Sequence, residues 1–377
     1  RAIVQKPMAR MGYGGYLSLA LKFPEFVEHV TEIAEQFKSI AKYSGGNRPR
    51  CAGFKVGVLN AWGKLRSWQT HQVAHSLWNQ RCYSYLGVLE ALAGMPVQVE
   101  FISFDDIREK GISPEIGVIV NAGDAYTSWS GGGSWSDVKV LTAVREWVSR
   151  GGGFIGIGEP TAYEREGQLF TLADVLGVQK EIGFTASNNK PAAEPEAHYI
   201  TADGKPDSYG EGMTMIYRYS ESAKVLDVSE GSCNLAVNPY GKGRSVYMAG
   251  LPYSSANARV LLRAIYWSAG KEEELSEMLC SNPETECAYY AESGKVCVLN
   301  NSLEEQETVV PLAALGAVVK GCELRHPGEW VRVAALVALI KDLPASEEIQ
   351  ALRSRGEVHH PGVVLPRPQS RSGVVDV

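Results

Sequence analysis

Residues 117–158 open with Gly117-Val118-Ile119-Val120-Asn121-Ala122-Gly123-Asp124 and close with Gly153-Phe154-Ile155-Gly156-Ile157-Gly158, with an amphipathic stretch at 137–149 between them. The two ends are short apolar runs bounded by turn residues, which reads as strands buried on both faces. Strand, helix and strand in that order form the unit of a parallel sheet. The same alternation continues upstream, with strands at 54–60 and 97–104 around a long helix at about 70–93. Downstream, 234–238 and 244–249 read as a hairpin around Pro239-Tyr240-Gly241-Lys242-Gly243, followed by a helix near 256–268. An α/β domain over about 52–270, a parallel sheet covered on both faces, is the expectation.

The flanks differ from this block. Residues 3–8 read as a short buried strand. The loop Arg10-Met11-Gly12-Tyr13-Gly14-Gly15-Tyr16 follows, and then a helix from Pro24 to about Ala41, in which Phe26, Val27, Val30, Ile33, Ala34, Phe37 and Ile40 recur at helical spacing. Together they make one βα unit over 1–45, too small to fold alone, and the chain starts without Met, so an upstream segment is expected. Tyr43-Ser44-Gly45-Gly46-Asn47-Arg48-Pro49-Arg50 reads as a linker. After residue 280, 287–290 and 295–300 alternate around Glu292-Ser293-Gly294 as the first hairpin of a small β domain over 280–309. From 310 to 377 the pattern changes: Trp330 is the only aromatic there, and 331–340 does not continue the β alternation. This tail reads as foreign to the rest, through a shifted reading frame or a junction.

Composition excludes several classes. A net charge of −6 argues against a nucleic-acid partner, while leaving room for a local cationic pocket. No apolar run approaches bilayer length, and the opening residues lack the core of a signal peptide. Seven scattered cysteines without a C-x-x-C pair argue against a disulfide framework or zinc site, and for a reducing, cytoplasmic home.

Chemistry is expected in two places. In the first loop, Gly12, Gly14 and Gly15 let backbone N–H groups approach an oxyanion, the helix that follows favours negative charge, and Arg10 adds a charge-assisted grip on phosphate. The plainer reading is a tight turn with a surface arginine. In the second domain, three strand ends carry Trp62, Lys64, Arg66 and Trp68, then Asp124 and Trp129, and then Glu159. Ligands of open parallel sheets bind outside such ends. The tryptophans offer flat faces for a sugar and the charged groups offer contacts to hydroxyls or phosphate; alternatively, these loops simply pack against a neighbouring domain. The turn at Gly158-Glu159-Pro160 stands where a nucleophile elbow would need Cys or Ser, which disfavours amidotransfer. His71 and His75 share a helix face, but Gln72, Val73 and Ala74 lie between them, so no metal site is expected.

Five ordered strings carry a family likeness: VQKPMARMGYGGYLSLALKFPEFVE (4–28), KVGVLNAWGKLRSW (55–68), YSYLGVLEALAGMPVQVEFISFDDI (83–107), VIVNAGDAYTSWSGG (118–132) and GGGFIGIGEPTAY (151–163). In these the chain resembles the inverting β-galactosyl phosphorylases, the group of galacto-N-biose/lacto-N-biose phosphorylase and galactosyl-rhamnose phosphorylase. The likeness runs from residue 1 to about 309.

The resemblance implies the last βα unit of a truncated β/α barrel, an amidotransferase-like (flavodoxin-like) middle domain and a small β domain. It implies that phosphate cleaves a β-galactoside with inversion, giving α-galactose 1-phosphate and N-acetylhexosamine or rhamnose. The general-acid aspartate would come from the barrel, upstream of residue 1, so no catalytic residue is expected in this chain. Arg10, Gly12, Tyr13, Gly14 and Gly15 match the phosphate-holding part. No cofactor is implied, only inorganic phosphate as co-substrate. The expected partners are the disaccharide and phosphate, without nucleic acid or membrane, and the expected assembly is a homodimer. A non-catalytic sugar-binding or assembly module is the competing reading.

Overall fold

In the computed structural model the described residues are 1–6, 8, 10, 12, 16–61, 83–182, 194–211, 214–275, 278–292, 295–302, 306–308 and 363–365. The chain divides into two units: Ala52–Leu92 with Val97–Leu275, and Arg1–Cys51 with Ala93–Pro96 and Ser276–Val377.

The larger unit contains strands β1 (Lys55–Asn60), β2 (Gln98–Ser103), β3 (Ile116–Gly123) and β4 (Gly153–Gly158). Two short antiparallel pairs follow, β5 (Ala162–Arg165) with β6 (Gln168–Phe170), and β7 (Val178–Lys180) with β8 (Ile216–Arg218). Then come β9 (Lys224–Ser229), β10 (Ser232–Tyr240) and β11 (Gly243–Met248). One seven-stranded sheet has the order β2-β1-β3-β4-β11-β10-β9. Its first five strands run parallel, and the hairpin β10–β11 and the pair β9–β10 finish it antiparallel. β3 and β4 are buried at nearly every position, because helices cover both faces.

The helix Val138–Ser149 starts where Asp137 accepts a hydrogen bond from Lys139 N at 2.9 Å, and buries Val140, Val144 and Val148 at four-residue spacing. The helix Ser255–Ser268 starts on Ser254, whose Oγ accepts from Asn257 N at 3.0 Å. The strand expected at 97–104 ends one residue early. Ser103 Oγ accepts from Asp106 N at 3.0 Å and starts the helix Phe104–Lys110, which the sequence reading had not marked.

Asp203 shows how strongly one carboxylate can tie this unit. Arg263 grips it with two nitrogens, at 2.8 and 2.6 Å, and Arg259 adds a third contact at 3.2 Å. Burial alone would raise the Asp203 carboxyl, but Arg263 and Arg259 outweigh it and hold the group below the ordinary carboxylate range. A depressed folded value means that the stabilisation is full above the unfolded pKa and is lost as pH falls through the folded one. Asp203→Asn should therefore cost about 2 kcal/mol at neutral pH. The melting-temperature gap to the unaltered chain should narrow below about pH 4; a gap constant down to that pH would contradict the assignment.

In the smaller unit the expected strand at 3–8 is instead a single helical turn, Ala2–Gln5. No described strand pairs with it, and a helical turn closes its own bonds, Val4 N to Arg1 O at 3.0 Å and Lys6 N to Ala2 O at 2.8 Å. The helix Pro24–Ser44 begins with Pro at its first position and ends on Gly45 in the left-handed conformation, inside the expected linker. β12 (Thr285–Tyr290) and β13 (Lys295–Asn300) form the expected hairpin, and Val4 is buried against Ala288, Tyr290, Cys297 and Leu299. Arg1 pairs with Glu286 at 2.8 Å, and Gln5 donates to Cys287 O at 2.9 Å. β14 (Gln306–Thr308) pairs with β15 (Val363–Leu365), the described part of the tail.

Candidate functional site

The strand order reverses at β1, which has β2 on one side and β3 on the other. Such a reversal opens a crevice beyond the carboxyl ends of the two strands that flank it. Here those ends are Asn60 on β1 and Gly123-Asp124 after β3, with Gly158-Glu159 beside them after β4. Asp124, Trp129 and Glu159 are thus gathered at one edge of the sheet.

Local geometry explains why the chain turns there. Gly123 has φ 123°, and an added Cβ would lie 2.8 Å from Trp129 Cβ, so only glycine lets the loop fold back over its own strand. Gly158 has φ 78°, and the next amide, Glu159 N, donates to Gly123 O at 3.0 Å, tying the two strand ends together. Beneath them the fully buried Asn121 donates to Ser130 O at 2.8 Å and accepts from Thr161 N at 2.9 Å. Tyr247, also fully buried, donates to Gly158 O at 3.1 Å. Each polar atom named here has a partner, as burial requires.

Glu159 faces inward. One carboxylate oxygen accepts from Ala125 N at 2.8 Å and the other is bound by Lys180 of β7. Both side chains are largely buried, so this carboxylate braces the 124–130 loop. Asp124 is 7 % exposed. Trp129 is half-buried, its ring 4.8 Å from that of Tyr85. Tyr126 is 57 % exposed and holds a positive φ of 61°, unusual for an aromatic residue. Its hydroxyl accepts from Glu164 N at 3.2 Å.

Tyr83 donates to Tyr209 O at 3.3 Å. Burial raises its phenol above the ordinary value and the Asp124 and Glu211 carboxylates add to this, so it stays a neutral donor. Cys233 is the cysteine of this unit among the described residues, and burial pushes its thiol up to about 12, far from a thiolate.

Trp62, Lys64, Arg66, Trp68, His71 and His75 lie outside the described residues, as do Tyr13, Gly14 and Gly15. Arg10 and Gly12 belong to the smaller unit, where both are exposed, and an added Cβ at Gly12 would meet nothing within 4 Å. Reading the sequence missed Lys180, Tyr83, Tyr85 and Tyr126. Lys180 is 21 residues from its partner, on a three-residue strand with no pattern of its own. Tyr126 had a signal, standing in the quoted 118–132 string two residues after Asp124.

Comparison with known proteins bears on residues 1–314. The model of the lacto-N-biose phosphorylase central domain matches residues 55–273, that of the N-terminal TIM barrel domain matches 1–52, and that of the C-terminal domain matches 279–314. A 1,3-β-galactosyl-N-acetylhexosamine phosphorylase of Lachnoclostridium phytofermentans is 50 % identical over 312 residues, covering 82 % of this chain and 43 % of the relative. The protein of that name from Bifidobacterium longum is 42 % identical over 348 residues, covering 83 % of this chain and 46 % of its own length. A D-galactosyl-β-1→4-L-rhamnose phosphorylase of L. phytofermentans is 33 % identical over 314 residues, covering 83 % and 42 %. The chain spans less than half the length of these relatives. With a mostly parallel central sheet and more than half of its residues matched by one domain model, the chain belongs to the lacto-N-biose phosphorylase family.

Proposed function

We propose that this chain is part of a glycosyl phosphorylase that reversibly cleaves a β-galactosyl-N-acetylhexosamine with inorganic phosphate. The products are α-galactose 1-phosphate and N-acetylhexosamine, formed with inversion. The observation that carries this reading is the 50 % identity to a relative named for that substrate class. Galactosyl-rhamnose as substrate is the second reading, supported by the 33 % identical relative of that name.

In the proposed reaction a phosphate oxygen forms the new bond to C1 as the glycosidic oxygen departs from the opposite face. The departing oxygen takes a proton from an aspartic acid that this chain does not supply. No base is needed, because the nucleophile is already an anion, and the protein's task is to gather that anion beside an oxocarbenium-like sugar. Arg10 with Gly12, Tyr13, Gly14 and Gly15 is assigned to phosphate, and Asp124 and Trp129 are candidate sugar contacts of the larger unit by itself. No cofactor is required, and a cytoplasmic homodimer is the assembly in which we place it.

The fold reading goes with this. Residues 1–45 are proposed as the last βα unit of a β/α barrel, in which 3–8 would take strand form only beside barrel neighbours, 52–270 as an amidotransferase-like domain and 280–309 as the start of a small β domain. The exposed Leu17, Leu19, Leu21, Phe23 and Phe26 support the first part, since barrel neighbours would cover such residues.

The test is to incubate a protein of the relatives' full length with lacto-N-biose and inorganic phosphate, and to follow products by phosphorus and proton NMR. Equal amounts of α-galactose 1-phosphate and N-acetylglucosamine, without free galactose, are expected. Release of galactose independent of phosphate, or turnover of galactosyl-rhamnose alone, would overturn the reading.

A further inference from the structure

We propose that Tyr126 is a sugar-contacting residue, its ring forming a fixed platform for the apolar face of a galactosyl unit. This rests on the phosphorylase reading above and extends it to a residue and a mode of contact.

Four observations converge on this side chain. It stands on the loop after β3, at the edge where the strand order reverses and ligands of such sheets bind. The residue is 57 % exposed, although the loop that carries it is otherwise well packed: Asp124 and Ser130 are buried, and Thr127 Oγ1 donates to Asp124 O at 2.8 Å. Its side chain is tethered at the far end, where the hydroxyl accepts from Glu164 N at 3.2 Å. Finally, the backbone sits at φ 61°, a cost that an aromatic residue bears where its direction matters and that glycine would remove.

The chemistry fits a sugar better than a charged ligand. With its hydroxyl engaged by Glu164 N, the ring has its apolar face to offer a ligand. Galactose, with its axial 4-hydroxyl, presents C3–H, C4–H and C5–H together as one apolar patch, the complement of such a face. Holding the ring beforehand removes the ordering cost that a mobile tyrosine would bear on binding. Tyr163, next in the chain to the residue that tethers the hydroxyl, is also exposed.

The test is saturation-transfer NMR on this chain with lacto-N-biose as the probe, irradiating aromatic protons and reading transfer to the galactosyl H3, H4 and H5. Transfer to those protons is expected from the unaltered chain. Tyr126→Ala should reduce it about three- to tenfold. Tyr126→Phe, which keeps the ring but loses its tether, should fall between the two. Absence of transfer from the unaltered chain, or transfer that survives Tyr126→Ala, overturns the inference even if phosphorolysis is found in the full-length protein. Transfer that depends on Tyr126, in a family member that fails the phosphorolysis assay, would instead keep the platform and sink the proposed reaction.

Discussion

Replacing Arg10 with alanine in a protein of the relatives' full length should raise the phosphate concentration for half-maximal phosphorolysis by about 10- to 100-fold. The KM for the disaccharide should move by no more than about threefold. The asymmetry follows from the proposed role. A phosphate dianion loses hydration when it enters a partly enclosed site, and a guanidinium with paired donors replaces that hydration better than any neutral group. The sugar is uncharged and loses nothing comparable. Arg10 is exposed in its own unit, so its removal leaves no buried partner unsatisfied and the protein should fold as before. Arg10→Lys keeps the charge and loses the fork, and should fall between the two. Steady-state kinetics in the phosphorolytic direction, varying each substrate in turn, separates the outcomes. Equal losses for both substrates would remove Arg10 from the phosphate site.

Much of the sheet was legible, for a physical reason. β3 and β4 are buried on both faces, so their apolar runs are unbroken and stand out against the amphipathic helix between them. Gly153–Gly158 coincides with its expected bounds, and the 138–149 helix starts at the Asp that caps it. The order of the strands was not legible. That β11 lies between β4 and β10, and that the reversal falls at β1, depends on which edges meet in three dimensions. Local reading also failed where one residue serves two elements. Ser103 ends β2 and caps the helix after it, and the apolar Phe104 looked like more strand. At residues 3–8 apolar content suggested a strand, but a strand needs a partner for its backbone, and a helical turn does not. The candidate site was legible by position and less so by role. Asp124, Trp129 and Glu159 do share one edge, yet a lysine on a short strand of its own holds Glu159 as a brace. Composition gave no hint of that pairing.

Asn121→Asp should be a strongly damaging isosteric change, with a loss that depends on pH in a diagnostic direction. The Asn121 amide is fully buried and its two ends do different work: the nitrogen donates to Ser130 O, which closes the loop after β3, and the oxygen accepts from Thr161 N in the turn after β4. An ionised aspartate has the same shape but only acceptors, so one oxygen would face the Ser130 carbonyl without a proton between them. The expected cost at pH 7 is about 3–5 kcal/mol, that of an uncompensated buried charge. A protonated aspartic acid can instead donate to Ser130 O and still accept from Thr161 N. The folded state therefore prefers the proton, and the folded pKa rises above the unfolded value of about 3.9. With a raised folded value, stability is fully present below the unfolded pKa and is lost as pH rises through the folded one. The gap to the unaltered chain should thus be small near pH 4 and widen toward neutrality. Asn121→Ala, which cannot take up a proton, should show a gap that hardly changes over the same range. Urea denaturation of the three chains at several pH values decides the matter. If Asn121→Asp and Asn121→Ala lose stability in parallel at every pH, the amide does not join these two loops as described, and the edge that carries Asp124, Tyr126 and Trp129 must be held by other contacts.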